Sequence, residues 1–156
     1  MNRSWAEYKV GFGERSGNYW LGNDLLDQLT ANYRYKLRSD LLSRDTGNWY
    51  YAEYSTFRVM SEADNYTLLV NGYSGNADYD AFSLDNVGAK FTTINRENDR
   101  HPSFNCAARF GGGFWWRDFC GGCLVNAAGG TGGFFWVGLP RGRYSLQLSR
   151  MWLQCK

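Results

Sequence analysis

The chain has 156 residues, close to the roughly 150 residues of one domain. A domain of this size buries roughly 68 to 70% of the unfolded chain's surface, enough for a core that needs no metal. Hydrophobic residues make up 44% and aromatics 18% of the chain, which sets aside disordered, coiled-coil and collagen-like classes. The formal net charge is only +2, so nucleic acid is not an expected partner, and no run approaches the roughly 18 apolar residues of a membrane span.

Residues 1–10 carry Arg3, Glu7 and Lys9 and lack the apolar centre of a signal peptide, so the expected reading is a cytosolic protein or a segment of a longer one. The first two thirds read as strands around one short helix. Asn23 or Asp24 is placed to cap that helix, with Leu25, Leu26 and Leu29 on one face and an end near Thr30. Tyr33, Tyr35 and Leu37 alternate with Arg34, Lys36 and Arg38, the period of a half-buried strand. A second strand is predicted over 49–59, turn residues over 61–65, and alternation again at Tyr66, Leu68 and Val70, together an antiparallel hairpin. Near the end, Tyr144, Leu146 and Leu148 alternate while Met151 and Leu153 fall out of phase, which predicts a bulge near Ser149 and Arg150.

Between Ala89 and Gly142 regular patterns fade, and 11 of the 19 glycines lie from Gly111 to Gly142. Loops that long inside a domain usually carry function. The expected organisation is therefore a sheet region over 1–90, a loop-rich binding region over 91–142 and a returning strand over 143–156. All four cysteines, Cys106, Cys120, Cys123 and Cys155, fall in the last third. Free thiols, disulfides and metal ligation all stay open, since four cysteines allow three full pairings. Cys120 to Cys123 also spells CxxC, but no predicted helix starts there and the one histidine, His101, stands apart, so a redox or zinc site is disfavoured. Neither a P-loop nor a dinucleotide glycine pattern is present, and no motif places a nucleophile near His101, so no enzyme is expected.

In order, Trp5, Tyr8 and Lys9, then Gly11 to Gly13, Gly17, Trp20 to Asn23, 35–41 (YKLRSDL), 52–59 (AEYSTFRV) and 66–77 (YTLLVNGYSGNA) form a specific series. It continues through 91–93, Asn98 and Asp99, 105–107 (NCA), Trp115 and Trp116 before Cys120, and Tyr144 to Leu146 before Met151. This series resembles the fibrinogen-like C-terminal domain of fibrinogen chains, ficolins, tachylectins, tenascins and angiopoietins. The resemblance implies an α+β fold in which an antiparallel sheet with short helices carries a loop-rich ligand- and calcium-binding region. It also implies a secreted, disulfide-bonded protein. The family's domain normally begins with a further N-terminal subdomain bearing its own cysteine pair, and the match begins after it.

By the same resemblance Cys106 and Cys120 form the disulfide that pins the calcium loop, whereas Cys123 and Cys155 have no counterpart; they bridge each other, pair with another chain, or stay free. Residues 95–99 (NREND) stand where the family has an acidic calcium loop. The implied ligands are the carboxylates of Glu97 and Asp99 and the carbonyls of His101 and Ser103. Glu97 replaces an aspartate and Asn95 a further acid, so Ca2+ affinity should be low or lost, and a solvated polar turn is the competing reading.

Ficolins and tachylectins bind acetyl groups beside this loop. The corresponding walls are Phe110, Phe119, Trp136 and Val137, with Gly121 where the family's histidine donor stands and a cis bond expected between Phe119 and Cys120. Phe114, Trp115, Trp116, Phe134, Phe135 and Trp136 flank these loops and are expected to be mostly core. The absence of acids after Asp118, with Arg141, Arg143, Arg150 and Lys156, suggests either a solvated basic face or an acidic partner. Asn65 and Asn2 head glycosylation sequons. The leading expectation is lectin-like recognition of acetylated glycans in innate immunity. The alternative is a receptor- or matrix-binding module as in angiopoietins or tenascins, which Gly121 favours because angiopoietins also carry glycine there; a truncated domain with no working site is a third reading. By the resemblance, oligomers are expected to form through segments flanking the domain, and a single domain is expected to bind one sugar weakly, since avidity comes from linked sites.

Overall fold

The computed structural model describes residues 2–126, 135–139 and 145–156. In chain order the elements are α1 (Trp5–Val10), β1 (Phe12–Gly13), β2 (Tyr19–Trp20), α2 (Asn23–Thr30), β3 (Tyr35–Ser43), β4 (Trp49–Val59), β5 (Leu68–Gly75), α3 (Ala81–Asn86), β6 (Phe91–Thr92), α4 (Cys106–Phe110), β7 (Phe114–Trp115), β8 (Cys123–Leu124), β9 (Phe135–Trp136) and β10 (Leu146–Cys155). The fold is α+β. Four long strands make an antiparallel sheet in the order β10-β3-β4-β5, and three two-stranded pairs, β1-β2, β6-β7 and β8-β9, lie among the loops.

Alternation sets the sheet's two faces. Leu37, Ser39, Leu41 and Ser43 of β3 are buried, as are Ala52, Tyr54, Phe57 and Val59 of β4 and Leu68 and Val70 of β5. The opposite face is wet and charged. There Arg38 donates to Asp40 and Glu53 at 2.8 and 2.9 Å, and its guanidinium lies 4.3 Å from the Tyr51 ring. The predicted hairpin is present, with a 3-10 turn (Glu62–Asp64) between β4 and β5.

The helices depart from expectation. The N-terminal stretch forms α1, closed by a capping box: Ser4 Oγ accepts from Glu7 N at 3.3 Å, and Glu7 Oε2 accepts from Ser4 N at 2.9 Å. In α2 the N-cap is Gly22, without a side-chain hydrogen bond; Asn23 is buried and accepts from Trp20 Nε1 at 3.0 Å instead. Leu26 is buried while Leu25 faces solvent. The bulge of β10 lies between Leu146 and Leu148, earlier than predicted, so that Ser149, Met151 and Leu153 pair with Leu41, Ser39 and Leu37. Tyr144 lies outside the described residues.

The largest fully buried side chains are nearly all aromatic, and Trp115 joins many of them. Its ring lies within 5.2 to 6.3 Å of Phe91, Phe114, Phe82, Trp20 and Phe57, which come from β6, β7, α3, β2 and β4. Its indole N–H donates to Tyr66 O at 2.7 Å, and its own carbonyl accepts from Asn86 Nδ2 at 2.6 Å. Phe114, Trp116, Phe135 and Trp136 are also buried, as expected; Phe134 lies outside the described residues.

Cys106 and Cys120 are joined, with Cα atoms 5.5 Å apart. The Cys123–Cys155 pairing is not formed: both thiols are free, Cys123 buried and Cys155 exposed. Topology explains this, because Cys123 pairs with Trp136 in β8-β9 while Cys155 ends β10 opposite Tyr35. The CxxC segment is equally divided, one sulfur in the disulfide and the other donating to Asn86 Oδ1 at 3.7 Å in the core.

Two outcomes follow. Trp115→Ala should lower unfolding free energy by about 3 to 5 kcal/mol in urea titration, the range for a buried aromatic truncated in a packed core. Burial, with a smaller contribution from Asp85 and Asp80, raises the Cys123 thiol pKa well above its usual value. Iodoacetamide at about pH 8 should therefore modify Cys155 in the native chain and reach Cys123 only on unfolding, as peptide mass mapping would read.

Candidate functional site

The 95–121 region is held by side chains that cap backbone groups. Asn98 Nδ2 donates to Phe91 O at 2.8 Å, and Asn105 Nδ2 to Thr93 O at 2.9 Å. Asn105 also caps α4, its Oδ1 accepting from Ala108 N at 2.9 Å. The disulfide then ties the start of α4 to Cys120, and closing a loop of 14 residues contributes about 3 kcal/mol in the chain-entropy model.

Each predicted calcium ligand has a place here. Asp99 accepts from His101 N through Oδ1 and from Cys106 N through Oδ2, both at 3.1 Å, so its carboxylate braces the loop and the start of α4. Glu97 is exposed. Ser103 N donates to His101 Nδ1 at 3.3 Å, and the His101 ring packs 3.7 Å from that of Phe104. Asn95, where the family carries an acid, turns away to accept from Trp5 N at 2.8 Å and so anchors α1. Among the described residues no three His, Cys, Asp or Glu side chains gather to hold a metal.

The expected acetyl pocket is not assembled from its predicted walls. Trp136 is buried, donating Nε1 to Tyr79 O at 2.8 Å, and Phe110 packs on Trp116 at 5.6 Å. Phe119 and Val137 face solvent instead, Phe119 at 84% exposure. The Phe119–Cys120 bond is trans, in correction of the cis bond expected: the chain turns here through positive φ at Cys120 (+59°) and Gly121 (+63°), with Cys120 N donating to Arg117 O at 3.0 Å.

Gly121 is a packing requirement. A Cβ there would lie 2.5 Å from Asn86 Nδ2, the group that bonds Trp115 O, so a histidine at this position would displace the core bridge. At Gly122 a Cβ would fall 2.0 Å from Asp85 Oδ2. Asn86 and Asp85 were not singled out from the sequence; only the Asp80 cap of α3, which accepts from Ser83 N at 3.0 Å, marks their helix. Burial also raises the Asp85 carboxyl pKa.

What the loops present to solvent is aromatic and charged. Arg100 pairs with Asp118 at 2.9 Å, linking the Phe104 loop to the Phe119 turn, and the Arg109 guanidinium lies 5.9 Å from the Phe104 ring. Phe104 is 40% exposed. Of the predicted basic tail, Arg150 lies 5.4 Å from the Trp49 ring; Arg141 and Arg143 lie outside the described residues. Asn65 is half-buried, its Oδ1 accepting from Arg96 at 2.8 Å.

Residues 1–156 match the family described as fibrinogen beta and gamma chains, C-terminal globular domain. Angiopoietin-1 of Sus scrofa is 40% identical over 133 residues, which cover 85% of this chain and 26% of that protein. Fibrinogen-like protein A of Apostichopus parvimensis is 35% identical over 160 residues, covering 97% of this chain and 55% of that one. Among solved structures, the fibrinogen-like globe domain of human ANGPTL2 superposes with a TM-score of 0.87 at 34% identity, covering 98% of this chain and 73% of that chain. The chain spans only part of these relatives. The family match over the full length, the fold and the disulfide agree, and the chain belongs to the fibrinogen-like C-terminal globular domain family.

Proposed function

We propose that this domain is a non-catalytic extracellular module that recognises a protein through the loop face around Phe119 and Phe104. The carrying observation is the 84% exposure of Phe119 on a turn fixed by the disulfide. A large ring held out on a rigid turn loses little freedom on docking, and aromatic and arginine side chains dominate interface energetics. Arg100, Arg109 and Asp118 supply a polar rim. Likeness to angiopoietins supports the same reading. It also supports an extracellular location, and no helix among the described residues is long and apolar enough to cross a membrane.

The acetylated-glycan reading has less support. Gly121 offers no side-chain donor, two of the expected walls are packed inward, and the Phe119–Cys120 bond is trans. Retention on acetylated agarose, with elution by free acetate, would restore it. The expected result is no retention. The labelled chain, tetramerised for avidity, should instead bind cultured animal cells, lose that binding after trypsin treatment of the cells, and bind about tenfold more weakly as Phe119→Ala with an unchanged melting curve.

Calcium enters this proposal as a weak ligand. Glu97, Asp99 and the carbonyls of His101 and Ser103 are hard oxygen donors of the right kind. However, the Asp99 oxygens are shared with two backbone amides, and Asn95 contributes no charge. A dissociation constant of about 0.1 to 1 mM, as in weak extracellular modules, would give about 0.4 to 1.4 kcal/mol at about 1 mM calcium. Chelator should therefore lower the melting temperature by no more than about 6 °C. A larger drop would mark a tight site.

A further inference from the structure

Asn65 heads the sequon Asn65-Tyr66-Thr67 in the turn that leads into β5. The backbone of this turn is fully engaged. Asn65 N donates to Glu62 O and Asn65 O accepts from Phe91 N, both at 2.9 Å. Tyr66 N donates to Ser61 O at 2.9 Å, and Tyr66 O accepts the Trp115 indole N–H. Asn65 has positive φ (+53°), a conformation that asparagine tolerates better than most residues. Thr67 Oγ1 donates to Asp64 O at 2.6 Å. Ala63, Asp64 and Lys90, chain neighbours of these bonded residues, are exposed.

The Asn65 amide has a fixed sense. Nη2 of Arg96 lies 2.8 Å from it, and Arg96 is itself held 3.9 Å from the Trp5 ring centroid and 3.8 Å from Glu62. Guanidinium nitrogens only donate, so the amide atom that meets Arg96 is the oxygen and the nitrogen points away from it. Asn65 Nδ2 has no hydrogen-bond partner among the described residues, yet the buried side-chain polar atoms left without a partner are Asn23 Nδ2 and Asn126 Oδ1. Asn65 Nδ2 therefore reaches water. Four other asparagines are turned the opposite way: Nδ2 of Asn86, Asn98, Asn105 and Asn126 each donates to a main-chain carbonyl.

We propose that Asn65 is an N-glycosylation site, its Nδ2 carrying an oligosaccharide transferred from a lipid-linked pyrophosphate donor. Nδ2 bonds to the anomeric carbon, the bond from that carbon to the pyrophosphate oxygen breaks, and the proton lost from the amide leaves with the lipid pyrophosphate. Nothing is oxidised or reduced. The finished turn accommodates the product, because the glycan departs on the water side while Oδ1 keeps its bond to Arg96. The site rests on the extracellular location proposed above and is independent of the Phe119 face.

Two measurements test this. In unglycosylated chain, the side-chain amide hydrogens of Asn65 should exchange with water about a hundredfold faster than those of Asn86 or Asn105, as read by NMR. Chain secreted from animal cells behind an added leader should lose mass on treatment with peptide N-glycosidase, and treatment in heavy-oxygen water should mark residue 65 as a labelled aspartate in peptide maps. Asn65→Asp, which keeps an acceptor toward Arg96, and Thr67→Ala should each abolish the glycan, whereas Thr67→Ser should keep it. Cell binding is read separately and bears only on Phe119. Four results would each overturn the proposal: slow exchange of the Asn65 amide, a glycan on Asn2 alone, secreted chain unmodified at Asn65, or glycosylated chain retained by cells that secrete Asn65→Asp.

Discussion

The indole of Trp115 joins two halves of the molecule that have little else in common. On one side lies a sheet with regular ladders; on the other, loops that among the described residues carry only two-stranded pairings. Through its ring Trp115 packs on Phe57 of the sheet and Phe82 of α3, and through its N–H it bonds Tyr66 O. Tyr66 has positive φ (+51°), a conformation that costs a non-glycine residue energy unless its surroundings fix it. The Trp115 hydrogen bond is one of the contacts that do so. The Trp115 carbonyl receives Asn86, and Asn86 in turn requires glycine at 121. One buried side chain thus reaches from the sheet to the turn that presents Phe119.

That chain of contacts explains why the exposed face is aromatic without being a pocket. With Asn86 filling the space beside Gly121, and with Trp136 and Phe110 turned into the core, little is left to line a cleft there. The disulfide, the Asp99 brace and the Asn105 cap hold the loops by bonds within the protein. Such a loop can keep its shape with little help from a cation, which is why the proposed calcium contribution is small.

The sheet was the more legible part of the sequence. β4 is the predicted 49–59 strand, and the hairpin to β5 follows its turn residues, because alternation is a direct record of which face is buried. The Cys106–Cys120 bridge and the fold came from the order of short motifs rather than from spacing. Legible but passed over was α1, whose Ser4-to-Glu7 spacing is a capping box. The Asn23 cap failed for a different reason: Trp20 needed an acceptor in the core and took the side chain that would have capped the helix. No local signal places Cys123 away from Cys155, or Trp136 inside rather than on a wall, since both depend on contacts far apart along the chain.

The proposed loop face and the sheet place different groups at the surface. The loop face offers side chains on a fixed turn, with exposed Phe119 beside the charges of Arg100, Arg109 and Asp118. Hydrogen bonds join the two regions. Ser149 of β10 donates its hydroxyl to Val125 O, just after β8, and Ser145, just before β10, donates to and accepts from the Trp136 backbone in β9. These hydrogen bonds tie the last strand of the sheet to the β8-β9 pair beside the Gly121 turn.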